Sequence, residues 1–156
     1  MSEYTVVVEW SRNGAVFTDN RYSRGHRWKF DGGIEVPASA SPHVVPLPLS
    51  VATAVDPEEA FVASLSSCHM LFFLSIAAKR GFLVESYRDE AVGTLAKDAS
   101  GALAMTKVLL HPDIRFGGRR PNESDIAAIH HEAHEQCFIS RSVKTSVEVA
   151  PVGRPA

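Results

Sequence analysis

Cysteine is scarce in this chain: Cys68 and Cys137 are the only two among 156 residues. In a reducing compartment two cysteines do not make a permanent structural staple, and a bond between them there is transient and catalytic. The plainer alternative is two free thiols buried for packing, because cysteine is among the most buried residue types. An excess of charge is also missing. Sixteen basic against eighteen acidic residues leave a net charge of -2, so nothing draws nucleic acid or an anionic membrane. The opening "MSEYTVVVEWSRNG" carries Glu3 and no basic-then-apolar order, so no secretory signal is expected. No uninterrupted apolar run approaches the ~20 residues that span a bilayer. A cytoplasmic protein is the expectation. Internal repeats, low-complexity tracts and domain linkers are absent as well.

The 156 residues suit one domain with a sizeable core, and 45% hydrophobic against 22% charged residues is a globular composition. "YTVVVEW" (Tyr4 to Trp10) is β-branched and predicts a strand. Asn13-Gly14 can turn the chain, and alternation from about Tyr22 to Phe30 predicts a second strand paired with the first. Residues 34–57 hold Pro37, Pro42, Pro46, Pro48 and Pro57, which rule out helix or central strand and leave a long, mostly irregular connection. Its alanines and valines suggest ordering against something, such as a partner subunit.

Asp56 as cap, Pro57 at the first helical position and Glu58-Glu59 at the positive dipole end predict a helix that stops at Gly81. Phe61, Leu65, Cys68, Phe72 and Ile76 form one stripe, and Leu71, Phe73 and Leu74 widen it, so burial on most sides is expected. Strands follow in "FLVESYRDEAVGTLAKD" and "GALAMTKVLLHPDIRF" around a turn near Ser100-Gly101. After a loop at 117–121, a second helix starts near Asn122, with Ile126, Ile129, Ala133 and Cys137 as its apolar stripe. Val143, Thr145, Val147 and Val149 alternate as a last, edge-like strand. Strands, helix, strands, helix, strand is an α+β order.

Three groups could carry chemistry. Glu58-Glu59 reads most simply as helix-start electrostatics, worth a few tenths of a kcal/mol. His130, His134 and Cys137 share a helix face at i, i+4 and i+7, and two imidazoles with a thiolate could hold a divalent metal. No zinc-finger or HExxH pattern completes that set, and a polar flank with one buried thiol is the stronger reading, so no metal is expected. Cys68 and Cys137 sit on the apolar stripes of two helices. Facing each other they could form a disulfide, which needs Cα atoms roughly 4.4–6.8 Å apart. A reactive thiol also needs a nearby cation, for which Arg12, Arg24 and Arg27 are available.

"DPEEAFVASLSSCHMLFFLSIAAKRGF" resembles the central helix of the OsmC/Ohr superfamily (osmotically inducible protein C and organic hydroperoxide resistance protein). The shared pattern is Pro-Glu, then small and apolar residues, then a cysteine ten positions after the glutamate, here Glu58 and Cys68. A second motif, a helix ending in cysteine followed shortly by "SV", stands here as "AHEQCFISRSVKT". The resemblance covers about residues 54–149 well and the opening strands more loosely. It implies a single OsmC-like domain over residues 1–156, with antiparallel sheets around long buried central helices in an intertwined homodimer.

The resemblance further implies a thiol-dependent peroxidase acting on organic hydroperoxides, with hydrogen peroxide as a further substrate. Cys68 is then the peroxidatic cysteine, whose sulfenic acid condenses with Cys137, the resolving cysteine. An external thiol or dithiol, a dihydrolipoyl group in one branch, reopens the disulfide, and no bound cofactor is implied. Glu58 orients an arginine over the Cys68 sulfur. That arginine sits between the first two strands in one branch and nearer the helix in the other. Residues 34–57 contain none, and Arg24 falls nearest the first location, with Arg12 and Arg27 as rivals. "SSCHM" departs from both branches, as expected of a less typical OsmC-like subgroup, which leaves the preferred peroxide and the reductant open more than the reaction. A non-enzymatic redox-sensing or small-ligand-binding dimer is the alternative.

Overall fold

Asp56 opens the longest element as the cap reading requires. Its Oδ1 accepts from the Glu59 N–H at 2.8 Å, and Glu59 Oε2 accepts from the Asp56 N–H at 3.1 Å, a reciprocal capping box. Helix α1 runs from Pro57 to Lys79. Gly81 ends it at φ 74°, while the Phe82 N–H returns to the Ala77 carbonyl at 3.0 Å. That left-handed C-terminal turn satisfies carbonyls the helix leaves open. The computed structural model describes residues 1–150. The chain forms two compact units, Met1–Ala60 and Phe61–Ala156, that divide within α1.

The first unit is built on a three-stranded antiparallel sheet of β1 (Val6–Glu9), β2 (His26–Phe30) and β3 (Glu35–Ala38), with β2 central. Val6 pairs with Phe30 and Glu9 with Arg27. The two opening strands therefore pair as expected, but β2 begins at His26 rather than Tyr22. The cause is an aromatic cluster. Phe17 stacks on Tyr22 at 4.6 Å, Trp10 meets Tyr22 edge-on at 5.2 Å, and Trp10 Nε1–H donates to the Ser23 carbonyl at 2.8 Å. Those contacts draw residues 22–25 into a long loop, and Asn13-Gly14 turns inside it at φ 49° and 82°. Pro37 lies in β3, on the sheet edge, where its missing N–H costs least.

In the second unit the two long strand segments each break in two. β4 (Leu83–Asp89) pairs with β7 (Pro112–Gly117), while β5 (Val92–Lys97) pairs with β6 (Leu103–Leu110), all antiparallel. Asp89 holds the break: its Oδ1 accepts from the His111 N–H at 2.6 Å and its Oδ2 from the Ser66 hydroxyl at 2.5 Å. β8 (Ser146–Val149) joins β6 in parallel at the edge of the β5–β6–β8 sheet. Asn122 caps α2 (Glu123–Gln136), again as a capping box, here with Asp125.

Two apolar clusters hold this unit. Phe73, Ile76, Ala77 and Phe82 meet Ile129 and Ala133, and Leu65 meets Val108 and Leu110 beneath Val143, Val147 and Val149. Burial in α1 corrects the expected stripe. Leu65, His69, Phe73, Ile76 and Ala77 are buried, whereas Cys68 and Phe72 sit on the flank, half-buried. Burial on most sides is not found, and Leu71 is 60% exposed. Apolar content at helical spacing fixes a stripe's breadth but not which edge of it the neighbouring elements reach. By length and composition α1 is also apolar enough to cross a membrane, contrary to the expectation from uninterrupted runs. Ser64, Ser66, Ser67 and His69 interrupt the run without outweighing its phenylalanines and leucines. The buried face of α1 is that of a helix packed in protein.

Candidate active site

α1 carries Cys68 at mid-length, and α2 delivers Cys137 at its C-terminal cap. Cys137 leaves helical geometry (φ -65°, ψ 111°) while its N–H still reaches the Ala133 carbonyl at 3.0 Å. The chain then folds back through a short 3₁₀ turn, Ser140–Ser142, and the Ser140 N–H donates to Cys137 Sγ at 3.3 Å. Cys137 is 1% exposed and Cys68 is half-buried. Both are free thiols.

The thiols meet. Burial first, and then the Cys68 thiol within hydrogen-bonding reach, push the Cys137 thiol up to about 11 against the lowering pull of the Ser140 amide. Cys137 is therefore a protonated thiol at neutral pH. Phe72, one turn beyond Cys68, meets Phe138, the residue after Cys137, edge-on at 5.1 Å. The arrangement can do thiol–disulfide chemistry: two sulfurs from different helices, one buried and one partly open.

The other sequence candidates take the following places. Glu58 lies in the first turn of α1, and its Oε2 is buried with no hydrogen-bond partner among the described residues. Glu59 belongs to the capping box. The Arg24 guanidinium donates to the Asn20 carbonyl at 3.1 Å, to Asn20 Oδ1 at 2.8 Å and to the Tyr22 carbonyl, and lies 3.9 Å over the Tyr22 ring. Among the described residues no ion pair joins Arg24 to Glu58. Arg12 donates to the Ala15 carbonyl at 2.8 Å, and Arg27 pairs with Glu35 at 3.5 Å on the exposed sheet.

His130 and His134 do not converge with Cys137 on a common point. His130 Nδ1 faces His69 Nε2 at 2.9 Å, and His134 Nδ1 faces the Ser140 hydroxyl at 3.4 Å. Among the described residues no three His, Cys, Asp or Glu side chains are clustered to hold a metal. The residue that sequence reasoning missed is His69. Its only signal was position: one imidazole between Leu65 and Phe73 on the helix face that turned out to be buried.

An α+β fold in which two helices bring one thiol each together defines a two-cysteine thiol protein. Residues 50–151 match the OsmC-like protein family, and the chain belongs to it. Among solved structures it is similar to an OsmC-like protein of unknown function from Vibrio cholerae O1 biovar eltor. The two share 57% identity at a TM-score of 0.94, covering 96% of this chain and 99% of that one. It also shares its fold with two more distant proteins. One is an organic hydroperoxide resistance protein OsmC from Legionella pneumophila (19% identity, TM-score 0.66, 96% and 99% covered). The other is the organic hydroperoxide resistance protein OhrB of Bacillus subtilis (16%, 0.61, 96% and 98%). No curated protein matches the chain.

Proposed function

We propose that this chain is a cysteine-based peroxidase that reduces organic hydroperoxides. The observation carrying this reading is the meeting of the Cys68 and Cys137 thiols across α1 and α2. The hydroperoxide-resistance names of the Legionella pneumophila and Bacillus subtilis relatives support it. As a thiolate, Cys68 attacks the distal peroxide oxygen; the O–O bond breaks and the alkoxide takes a proton to leave as the alcohol. Cys68 is then a sulfenic acid. The Cys137 sulfur attacks it, hydroxide departs with the thiol proton as water, and a disulfide remains. An external dithiol, such as a dihydrolipoyl group, reduces that bond by exchange and is itself oxidised.

Arg24 is assigned the guanidinium role, favouring the thiolate and the charge on the departing oxygen. Glu58 is assigned to hold it: its buried Oε2 has no hydrogen-bond partner among the described residues, and Arg24 would exchange its bonds to Asn20 and the Tyr22 carbonyl for it. The working protein is a homodimer in the cytoplasm, and the exposed apolar side chains of β1 and α1, among them Val6, Val8 and Leu71, support a second copy as cover.

The test is consumption of cumene or t-butyl hydroperoxide with dihydrolipoamide as reductant. Cys68→Ser abolishes turnover, and Cys137→Ser still oxidises at Cys68 but overoxidises readily. A wild-type rate equal to the uncatalysed background ends the enzyme reading. Stoichiometric oxidation without turnover moves the protein to the redox-sensing class.

A further inference from the structure

His69 and His130 meet at the interior junction of α1 and α2. Their facing nitrogens, His69 Nε2 and His130 Nδ1, are 2.9 Å apart, and the rings lie within 11° of parallel. Both residues are buried, at 1% and 6% exposure, and Phe73 packs 4.5 Å from the His130 ring. His69 follows Cys68 directly, and His130 precedes Cys137 by seven residues, two helical turns.

Two neutral imidazoles share one proton, donated by one ring and accepted by the other. Whichever ring donates, the outer nitrogens are left as one N–H and one lone pair. Those atoms, His69 Nδ1 and His130 Nε2, are buried without hydrogen-bond partners among the described residues. Each buried orphan forfeits the hydrogen bond it would make with water in the unfolded chain. As a source of stability the pair is thus a poor choice, and two leucines would fill the space without that penalty. What leucines would not supply is position. A buried hydrogen bond is satisfied at one depth and one rotation of α2 on α1, whereas apolar side chains accept several packings. A second polar tie, from Arg80 just beyond α1 to Glu132 on α2 at 2.7 Å, lies on the exposed rim, where an ion pair constrains little.

We propose that the His69–His130 hydrogen bond is a registration device: it sets α2 against α1 so that the Cys137 sulfur meets the Cys68 sulfur, and it is kept for that alignment rather than for stability. His69 and His130 are positioning residues, acting through the helices and not on the peroxide. The inference rests on the reading that Cys68 and Cys137 form the working disulfide.

The experiment titrates the Cys68–Cys137 disulfide of the full chain against glutathione and reads the effective concentration of the two thiols, with thermal unfolding in parallel. The expected result for H69L/H130L is an effective concentration at least tenfold below wild type, with an unfolding midpoint no lower. The variant H69Q/H130N places amide groups where Nε2 and Nδ1 now stand, and recovers the wild-type value to within about threefold. An unchanged effective concentration in H69L/H130L overturns the proposal. Loss of the fold in that variant overturns it equally, because the pair would then be a stability element. A wild-type protein that forms no intramolecular disulfide at any glutathione ratio sinks the disulfide reading itself, which separates that failure from failure of the registration device.

Discussion

The ring of Phe138 meets the ring of Phe72 edge-on at 5.1 Å, which joins the residue after Cys137 to the residue one turn beyond Cys68. Phe138 is otherwise 68% exposed, so this contact is its main packing. Edge-on aromatic pairs contribute about 0.5–1.5 kcal/mol beyond area burial. Phe138→Ala is therefore expected to cost about 1 kcal/mol in urea unfolding and to quicken alkylation of Cys68 by iodoacetamide severalfold. A labelling rate equal to wild type would show that the ring does not shield the sulfur.

Acid should weaken the fold through the histidine pair. Burial is the main cause that brings His69 and His130 from 6.5 down to about 4; His134 adds to it at His69, where Asp89 opposes, and His69 adds to it at His130. Between those values the unfolded chain binds protons that the folded chain refuses, so this contribution is complete above pH 6.5 and is lost as pH falls toward 4. One histidine alone accounts for about 3 kcal/mol, and two rings sharing a proton for less than twice that. Urea midpoints measured across this interval should fall with acidity in the wild type and flatten in H69L/H130L.

Cys137 behaves in the opposite sense. Its thiol is raised from 9 to about 11, by burial first and then by the Cys68 thiol. The folded chain keeps a proton there that the unfolded chain releases, so stability is lost as pH rises from 9 toward 11. Ultraviolet absorbance of the thiolate should place the Cys137 titration near 11 in the wild type and lower in Cys68→Ala, where one of the two causes is gone. A titration that Cys68→Ala leaves in place would mean that the Cys68 thiol contributes nothing.

The proposed peroxidase makes the arginines separable. Arg24→Ala and Glu58→Gln are each expected to lower kcat/KM for cumene hydroperoxide by about 100-fold, the usual size of losing one charge-stabilising donor at a reacting oxygen. Arg12→Ala and Arg27→Ala should stay within about threefold of wild type, since their partners are Ala15 and Glu35 in the sheet and its loop. A large loss in either of these two, with Arg24→Ala unaffected, would reassign the guanidinium.

Gly93 on β5 is a packing requirement. A Cβ there would stand 2.5 Å from Val62 Cγ2 on α1 and 2.6 Å from the Met105 methyl. The methionine end can swing away, but valine is stiff at χ1. Gly93→Ala should cost about 1–3 kcal/mol in a urea titration. A pairing with Val62→Ala should recover most of it, and failure to recover would place the clash elsewhere.

Local chemistry was legible in advance. Asp56 and Asn122 cap their helices because a short carboxylate or amide beside an open N–H row bonds it wherever the chain goes next. Gly81 stops α1 because the turn needs positive φ. The two cysteines and Glu58 stood out through spacing and family motif, and the resemblance led to the OsmC-like fold. Long-range pairing was not legible. Alternation over residues 82–116 predicts strands but does not say that the Asp89 carboxylate will seize the His111 amide and split one long hairpin into two sheets.

Sequence by itself thus determined where the two helices start, where α1 stops and which two sulfurs are available, because a helix cap or stop depends on neighbours within a turn or two. Only the tertiary structure decided that α1 buries His69 and Phe73 while Cys68 stays on the flank, and that His130 faces His69. It alone brought Cys137 against Cys68. The reason is physical: an apolar stripe on a helix is broad enough to pack at more than one rotation, and only the element opposite it selects one.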